Sequence, residues 1–195
     1  MMAWHPSGKI LLYTQSNGKG EIGLFYVTVE GNERDGWKVS EPKVYSNDQT
    51  FQIFPVFSPD GRWVAYTGTQ AGALQVFVQP FPGPGGRWQV SSEPNSSFPQ
   101  WPTKGDQLFF ASPDKQIMSV RYSVTGNSFQ MESPKLWADK RLADLGPMNI
   151  DYGMSPDGKR AAVLIDRFGD QKSTKVNYVF NFVEDVKKKL SGKAE

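Results

Sequence analysis

The sequence predicts an all-β fold of repeated four-stranded antiparallel units, and three observations predict it. A turn-and-strand core recurs four times. Trp4-His5-Pro6-Ser7-Gly8-Lys9 precedes residues 10–14, and Phe57-Ser58-Pro59-Asp60-Gly61-Arg62 precedes residues 63–67. Trp101-Pro102-Thr103-Lys104-Gly105-Asp106 precedes 107–111, and Met154-Ser155-Pro156-Asp157-Gly158-Lys159 precedes 160–164. The cores begin 53, 44 and 53 residues apart, a near-regular period of the size found in propellers and solenoids. The composition joins 13% aromatic residues to 19 Gly and 14 Pro, as many short strands and turns require.

Nine residues receive a structural part in these turns. Pro6, Pro59 and Pro156 preset φ for the first central position. The carboxylates of Asp60 and Asp157 can accept a backbone N–H of the turn. Gly8, Gly61, Gly105 and Gly158 supply φ > 0. Together they describe a three-residue hairpin with a glycine bulge. The third turn lacks the Pro-Asp pair. A valine at Gly61 is expected to cost about 1–3 kcal/mol, more than a valine at Gly31 in an ordinary loop.

Taken in order, the first core strand runs into the polar loop Gln15-Ser16-Asn17-Gly18-Lys19-Gly20. A strand at 24–29 follows, then a loop at 30–36 and an edge-type strand at 37–45 that tolerates Pro42. The second unit has an inner strand at 51–57, its core strand, a strand at 74–79 and an outer strand at 88–92. Trp37-Lys38-Val39-Ser40 and Trp88-Gln89-Val90-Ser91 match closely. The third unit has strands at 97–101, 107–112 and 117–122, and an outer segment at 129–137 that aligns without gaps on 37–45. Residues 139–146 form a polar connection with room for a helical turn. The fourth unit has strands near 148–154, at 160–166 and at 175–180. Its outer strand is missing, because 181–190 reads as a helix capped by Asn181 and Glu184.

Such a unit has two apolar faces and buries both only by stacking between neighbours. Radial stacking of four-stranded blades is a β-propeller, typically of 4–8 blades. The expected organisation is blades over residues 1–182, with cores at 4–14, 57–67, 101–111 and 154–164, and a C-terminal helix and frayed tail at 183–195. Four units without a closing strand read as part of a larger ring, so the isolated chain is expected to self-associate through unpaired blade faces. The six tryptophans sit mostly at repeat-equivalent positions and are expected to pack between blades or at blade edges.

At this point the residues resemble a known family. The Ser-Pro-Asp-Gly core, the aromatic strand after it and Val78-Gln79-Pro80-Phe81-Pro82-Gly83 are similar to TolB-type, WD-repeat-like propeller repeats. They are most similar to the C-terminal propeller of bacterial receptor-type serine/threonine kinases, whose terminal strand and helix resemble residues 178–187. The resemblance implies an extracytoplasmic, periplasmic module for sensing or protein binding.

The candidates for chemistry are few. Net charge is +2, from 22 basic and 20 acidic residues, which gives no electrostatic case for nucleic acid. There is no cysteine and no apolar window of membrane-spanning length, and Met1-Met2-Ala3-Trp4 lack the charged region and apolar run of a signal peptide, so an export address is expected on another part of the protein. Gly18-Lys19-Gly20-Glu21-Ile22-Gly23 fits a dinucleotide or kinase glycine pattern, but a strand follows it and the companion kinase motifs are absent. His5, the one histidine, occupies a turn position, and no Gly-x-Ser-x-Gly elbow exists. Ser-x-x-Lys spacings at Ser16/Lys19, Ser40/Lys43 and Ser112/Lys115 lack their companion motifs. The expectation is a non-catalytic module with no cofactor, no metal and no direct membrane insertion, holding a protein or small ligand at its loops. The rival reading is an accessory gating propeller of a prolyl-oligopeptidase-type or tricorn-type peptidase, with its hydrolase domain elsewhere.

Overall fold

The computed structural model describes residues 1–16, 18, 20–46, 51–83, 85–144, 146, 149 and 152–165. They form four successive antiparallel sheets, the blades of a β-propeller. The first blade orders β1 (Met2–Trp4), β2 (Ile10–Ser16) and β3 (Ile22–Asn32), with β4 (Gly36–Val39) and β5 (Lys43–Ser46) both on β3. The second orders β6 (Gln52–Phe57), β7 (Trp63–Gln70), β8 (Ala73–Pro80) and β9 (Trp88–Gln89). The third orders β10 (Ser97–Gln100), β11 (Gln107–Ala111), β12 (Ile117–Thr125) and β13 (Ser128–Met131), with β14 (Lys135–Ala138) also on β12. The fourth pairs β15 (Tyr152–Met154) with β16 (Ala161–Val163). The expected strand at 175–180, the helix at 181–190 and the tail after it lie outside the described residues.

Two expected outer strands are each divided in two. The segment at 37–45 breaks into β4 and β5, which pair with opposite ends of β3. The segment at 129–137 breaks into β13 and β14 in the same way. Each break contains a proline, Pro42 or Pro134, which has no N–H for the ladder. Ser40 bridges the first break. Its N–H donates to Thr28 O at 3.0 Å and its Oγ accepts the Thr28 N–H at 2.9 Å. Ser91 caps β9 likewise, its Oγ accepting the Val76 N–H at 2.9 Å. Residues 139–144 contain no helical turn. Leu142 there is buried against the third blade, and its N–H donates to Lys115 O.

Alternate side chains of each core strand serve opposite faces, as the strand period requires. Val64, Tyr66 and Phe77 of the second blade meet Leu12 and Leu24 of the first. Trp63, Ala65, Val76 and Val78 point the other way, onto Leu108, Phe110, Val120 and Phe129 of the third. Phe109, Ala111 and Ile117 then meet Tyr152 of the fourth. Each such large side chain contributes roughly 1.5–3 kcal/mol on full burial, so stacking of faces dominates over any single edge contact.

The tryptophans divide by blade. Trp63 is buried, and Trp88, Trp101 and Trp137 are half-buried. Trp4 and Trp37 depart from the expected packing, at 54% and 62% exposed. Among the described residues, no blade covers their face of the first sheet.

Candidate ligand-binding cleft at the inner strands

The repeated turns join inner to core strands and interlock neighbouring blades. In the second blade Ser58 Oγ donates to Asp60 Oδ1 at 2.5 Å and accepts the Trp63 N–H at 3.0 Å. Asp60 Oδ1 accepts the Arg62 N–H at 3.1 Å. The fourth blade repeats this with Ser155, Asp157, Lys159 and Arg160. In the first, where Pro6 separates His5 from Ser7, His5 Nδ1 accepts the Ser7 N–H and Ser7 Oγ accepts the Lys9 N–H. Gly8, Gly61, Gly105 and Gly158 have φ of 70°, 72°, 102° and 68°. Gly61 N–H donates to Ser58 O and Gly158 N–H to Ser155 O, across Pro59-Asp60 and Pro156-Asp157. Pro156 O also accepts the Lys104 N–H of the third turn at 2.9 Å.

The contrast expected between Gly61 and Gly31 does not hold. A Cβ at Gly61 would run into the His5 ring, while one at Gly31 would run into the backbone carbonyl oxygen of Gly36. Gly31 has φ of 107° and closes the tight β3–β4 hairpin. A backbone carbonyl yields less readily than a side-chain tip, so valine at Gly31 is at least as costly.

Asp157 gives the turns a measurable pH signature. Hydrogen bonds from the Ser155 hydroxyl, and then from the Lys159 N–H, hold its carboxyl below the ordinary aspartate range. A lowered folded value adds stability above the unfolded value of about 3.9 and loses it as pH falls through the folded value. The melting-temperature gap between wild type and Asp157→Asn should therefore be full at neutral pH and close in acid. A gap independent of pH would remove Asp157 from this role.

Toward the inner edge, two blades share a local distortion. Phe54 and Phe98 have φ of 54° and 58°, a conformation bulky residues rarely adopt. Each precedes a proline and sits where the inner strand's register slips, between Ile53 and Val56 and between Ser97 and Gln100. The slip brings the two rings together, centroids 4.5 Å apart. Side chains then tie inner strands across blades. Tyr152 Oη donates to Phe98 O at 2.6 Å, and Phe98 N–H donates to Thr67 Oγ1 at 3.2 Å. Gln100 Nε2 donates to Tyr152 O and Gln100 Oε1 accepts the Met154 N–H. Burial raises the Tyr152 phenol well above its ordinary value, so it stays a neutral donor.

Beside this distortion lies a cleft of about 580 Å³, lined by Met1, Met2, Phe54, Pro55, Val56, Pro99, Gln100, Trp101 and Asn149. Its lining is apolar apart from two amides. Among the described residues its lining holds no acidic or nucleophilic side chain of the kinds that carry acyl or phosphoryl transfer.

The other singled-out residues lie elsewhere. The Gly18–Gly23 stretch links β2 to β3, so strands flank it on both sides. His5 packs against Phe57 and Phe81, at centroid distances of 5.0 and 5.8 Å. Lys115 pairs with Asp144 at 3.2 Å, and Ser112 Oγ accepts the Gln116 N–H at 3.2 Å. Among the described residues no three His, Asp or Glu side chains converge as metal ligands, and no helix is long and apolar enough to cross a membrane.

Solved structures of similar shape bear on this geometry. A solved structure of TolB from Acinetobacter baumannii superposes with a TM-score of 0.51 at 19% identity, over 86% of this chain and 38% of that one. The fold is a TolB-like β-propeller. A second similar structure, a putative TolB from Agrobacterium tumefaciens, gives 0.47 at 17% identity, over 69% of this chain and 48% of that one. This chain therefore matches less than half the length of either protein. No protein-family model and no curated protein matches the sequence.

Proposed function

We propose that this TolB-like propeller is a non-catalytic interaction module that holds a protein segment or small ligand in the inner-strand cleft and the loops beside it. The observation that carries this reading is the cleft itself. It is apolar, of ligand size, shaped by two strained Phe-Pro bulges and furnished with amides rather than catalytic groups. On this reading the module is the extracytoplasmic C-terminal part of a bacterial receptor-type serine/threonine kinase or of a TolB-like protein. Any kinase or peptidase chemistry belongs to another domain.

Two measurements test it. Titration with indole, an apolar probe that carries one donor, should shift the NMR signals of the Trp101 indole N–H and the Met2 methyl while leaving Trp88 unmoved. Shifts confined to other residues, or none, would reject the cleft. The purified chain should also hydrolyse no peptide and phosphorylate nothing. Peptidase activity that survives stringent purification and is lost on replacing one serine would overturn the non-catalytic reading.

A further inference from the structure

A second cavity, which shares no lining residue with the cleft, lies between the second and third blades. It measures about 320 Å³, near the lower end of the range for small-molecule sites. Leu74 of β8, Asn95 on the way into β10, and Ser97 and Phe98 of β10 form one part of its lining. Ala111, the β11–β12 turn and Leu142 form the rest. Backbone hydrogen bonds fasten these walls. Asn95 N–H donates to Leu74 O at 2.7 Å, Lys115 N–H to Ser112 O at 3.0 Å, and Leu142 N–H to Lys115 O at 2.7 Å. Asn95 and Lys115 stand at φ of 64° and 60°, a conformation that is uncommon for lysine.

The lining carries more donors than it uses. Ser97 and Ser112 are only 9% and 6% exposed. Ser112 Oγ accepts the Gln116 N–H at 3.2 Å, which leaves its own proton unspent. Among the described residues, the Ser97 hydroxyl and the Asn95 side-chain amide make no hydrogen bond. The Lys115 ammonium gives one of its three protons to Asp144, a carboxylate whose side chain is 74% exposed. No described residue of the lining is acidic. Donors held out of water cost free energy until an acceptor reaches them. One cation among neutral donors suits a single negative charge better than a phosphate dianion. Leu74, Phe98, Ala111 and Leu142 supply apolar surface beside them.

We propose that this cavity binds a small carboxylic acid with an aliphatic tail. The carboxylate accepts hydrogen bonds from Ser97, Ser112, Asn95 and Lys115, and the tail lies against the apolar side chains. Ser112 and Lys115 stand at the Ser-x-x-Lys spacing, and here they serve as donors to an anion, not as a nucleophile and its base.

Hexanoate titrated into the chain and followed by NMR tests the proposal. Saturable shifts are expected at the Asn95 side-chain amide and the Leu142 methyls, with the Trp101 indole N–H unmoved. Hexan-1-ol, which has the same tail and no charge, should bind about 10-fold more weakly or worse. Ser97→Ala and Lys115→Met should each weaken hexanoate binding by about 10-fold or more, the usual worth of a hydrogen bond to a charged group. Both variants should keep the circular dichroism of the wild type, since one loses no internal hydrogen bond and the other an ion pair to an exposed carboxylate. The absence of saturable binding overturns the proposal, as does equal affinity for the alcohol or an unchanged affinity in either variant. Hexanoate shifts centred on Trp101 would place the acid in the cleft and overturn it too. Indole binding in the cleft is read separately and stands or falls without these results.

Discussion

Phe129→Ala is expected to cost about 3–5 kcal/mol, and Trp37→Ala at the matching place in the first blade about 0.5 kcal/mol or less. The two residues occupy one register in their sheets, opposite Val124 and Gly31. Phe129 stacks on Tyr122 at 5.1 Å and meets Trp63 at 5.3 Å and Trp88 at 6.1 Å, so truncation opens a cavity between two blades. Trp37 has no such cover among the described residues. Denaturant unfolding at a concentration low enough to keep the chain monomeric separates the two. Equal costs would mean that blade stacking is not what buries Phe129.

That pair also marks the limit of what the sequence could disclose. The turns are legible because their chemistry is local: Ser58, Pro59, Asp60 and Gly61 need only one another to define the hairpin. The gapless match of 129–137 to 37–45 likewise fixed the common register of Phe129 and Trp37. Their opposite burial is a tertiary fact, decided by whether another blade lies against the face, and no local pattern carries it. The split of the outer strands was within reach, since Pro42 and Pro134 stand at equivalent places. The cleft left a similar trace. Phe54-Pro55 and Phe98-Pro99 recur at the 44-residue spacing of the cores, yet each pair reads as plain inner strand until the positive φ values reveal the slip.

The turns carry the second large effect, through one interblade contact. Gly61→Ala is expected to cost about 2–5 kcal/mol, the sum of backbone strain at positive φ and displacement of a packed ring. A Cβ there would enter the space of the His5 ring, which lies edge-on to Phe57 and tilted over Phe81. Gly8 has nearly the same φ, 70° against 72°, and open space around its missing Cβ. Gly8→Ala therefore reports the strain alone, about 1–2 kcal/mol. His5→Ala removes the ring and some packing of its own. In that background the cost of Gly61→Ala should fall to the Gly8→Ala level, giving a favourable coupling of about 1–3 kcal/mol in a double-mutant cycle. Urea unfolding of the four variants measures it. Strict additivity would show that His5 does not seat the first turn on the second, and that Gly61 is required by its own φ only.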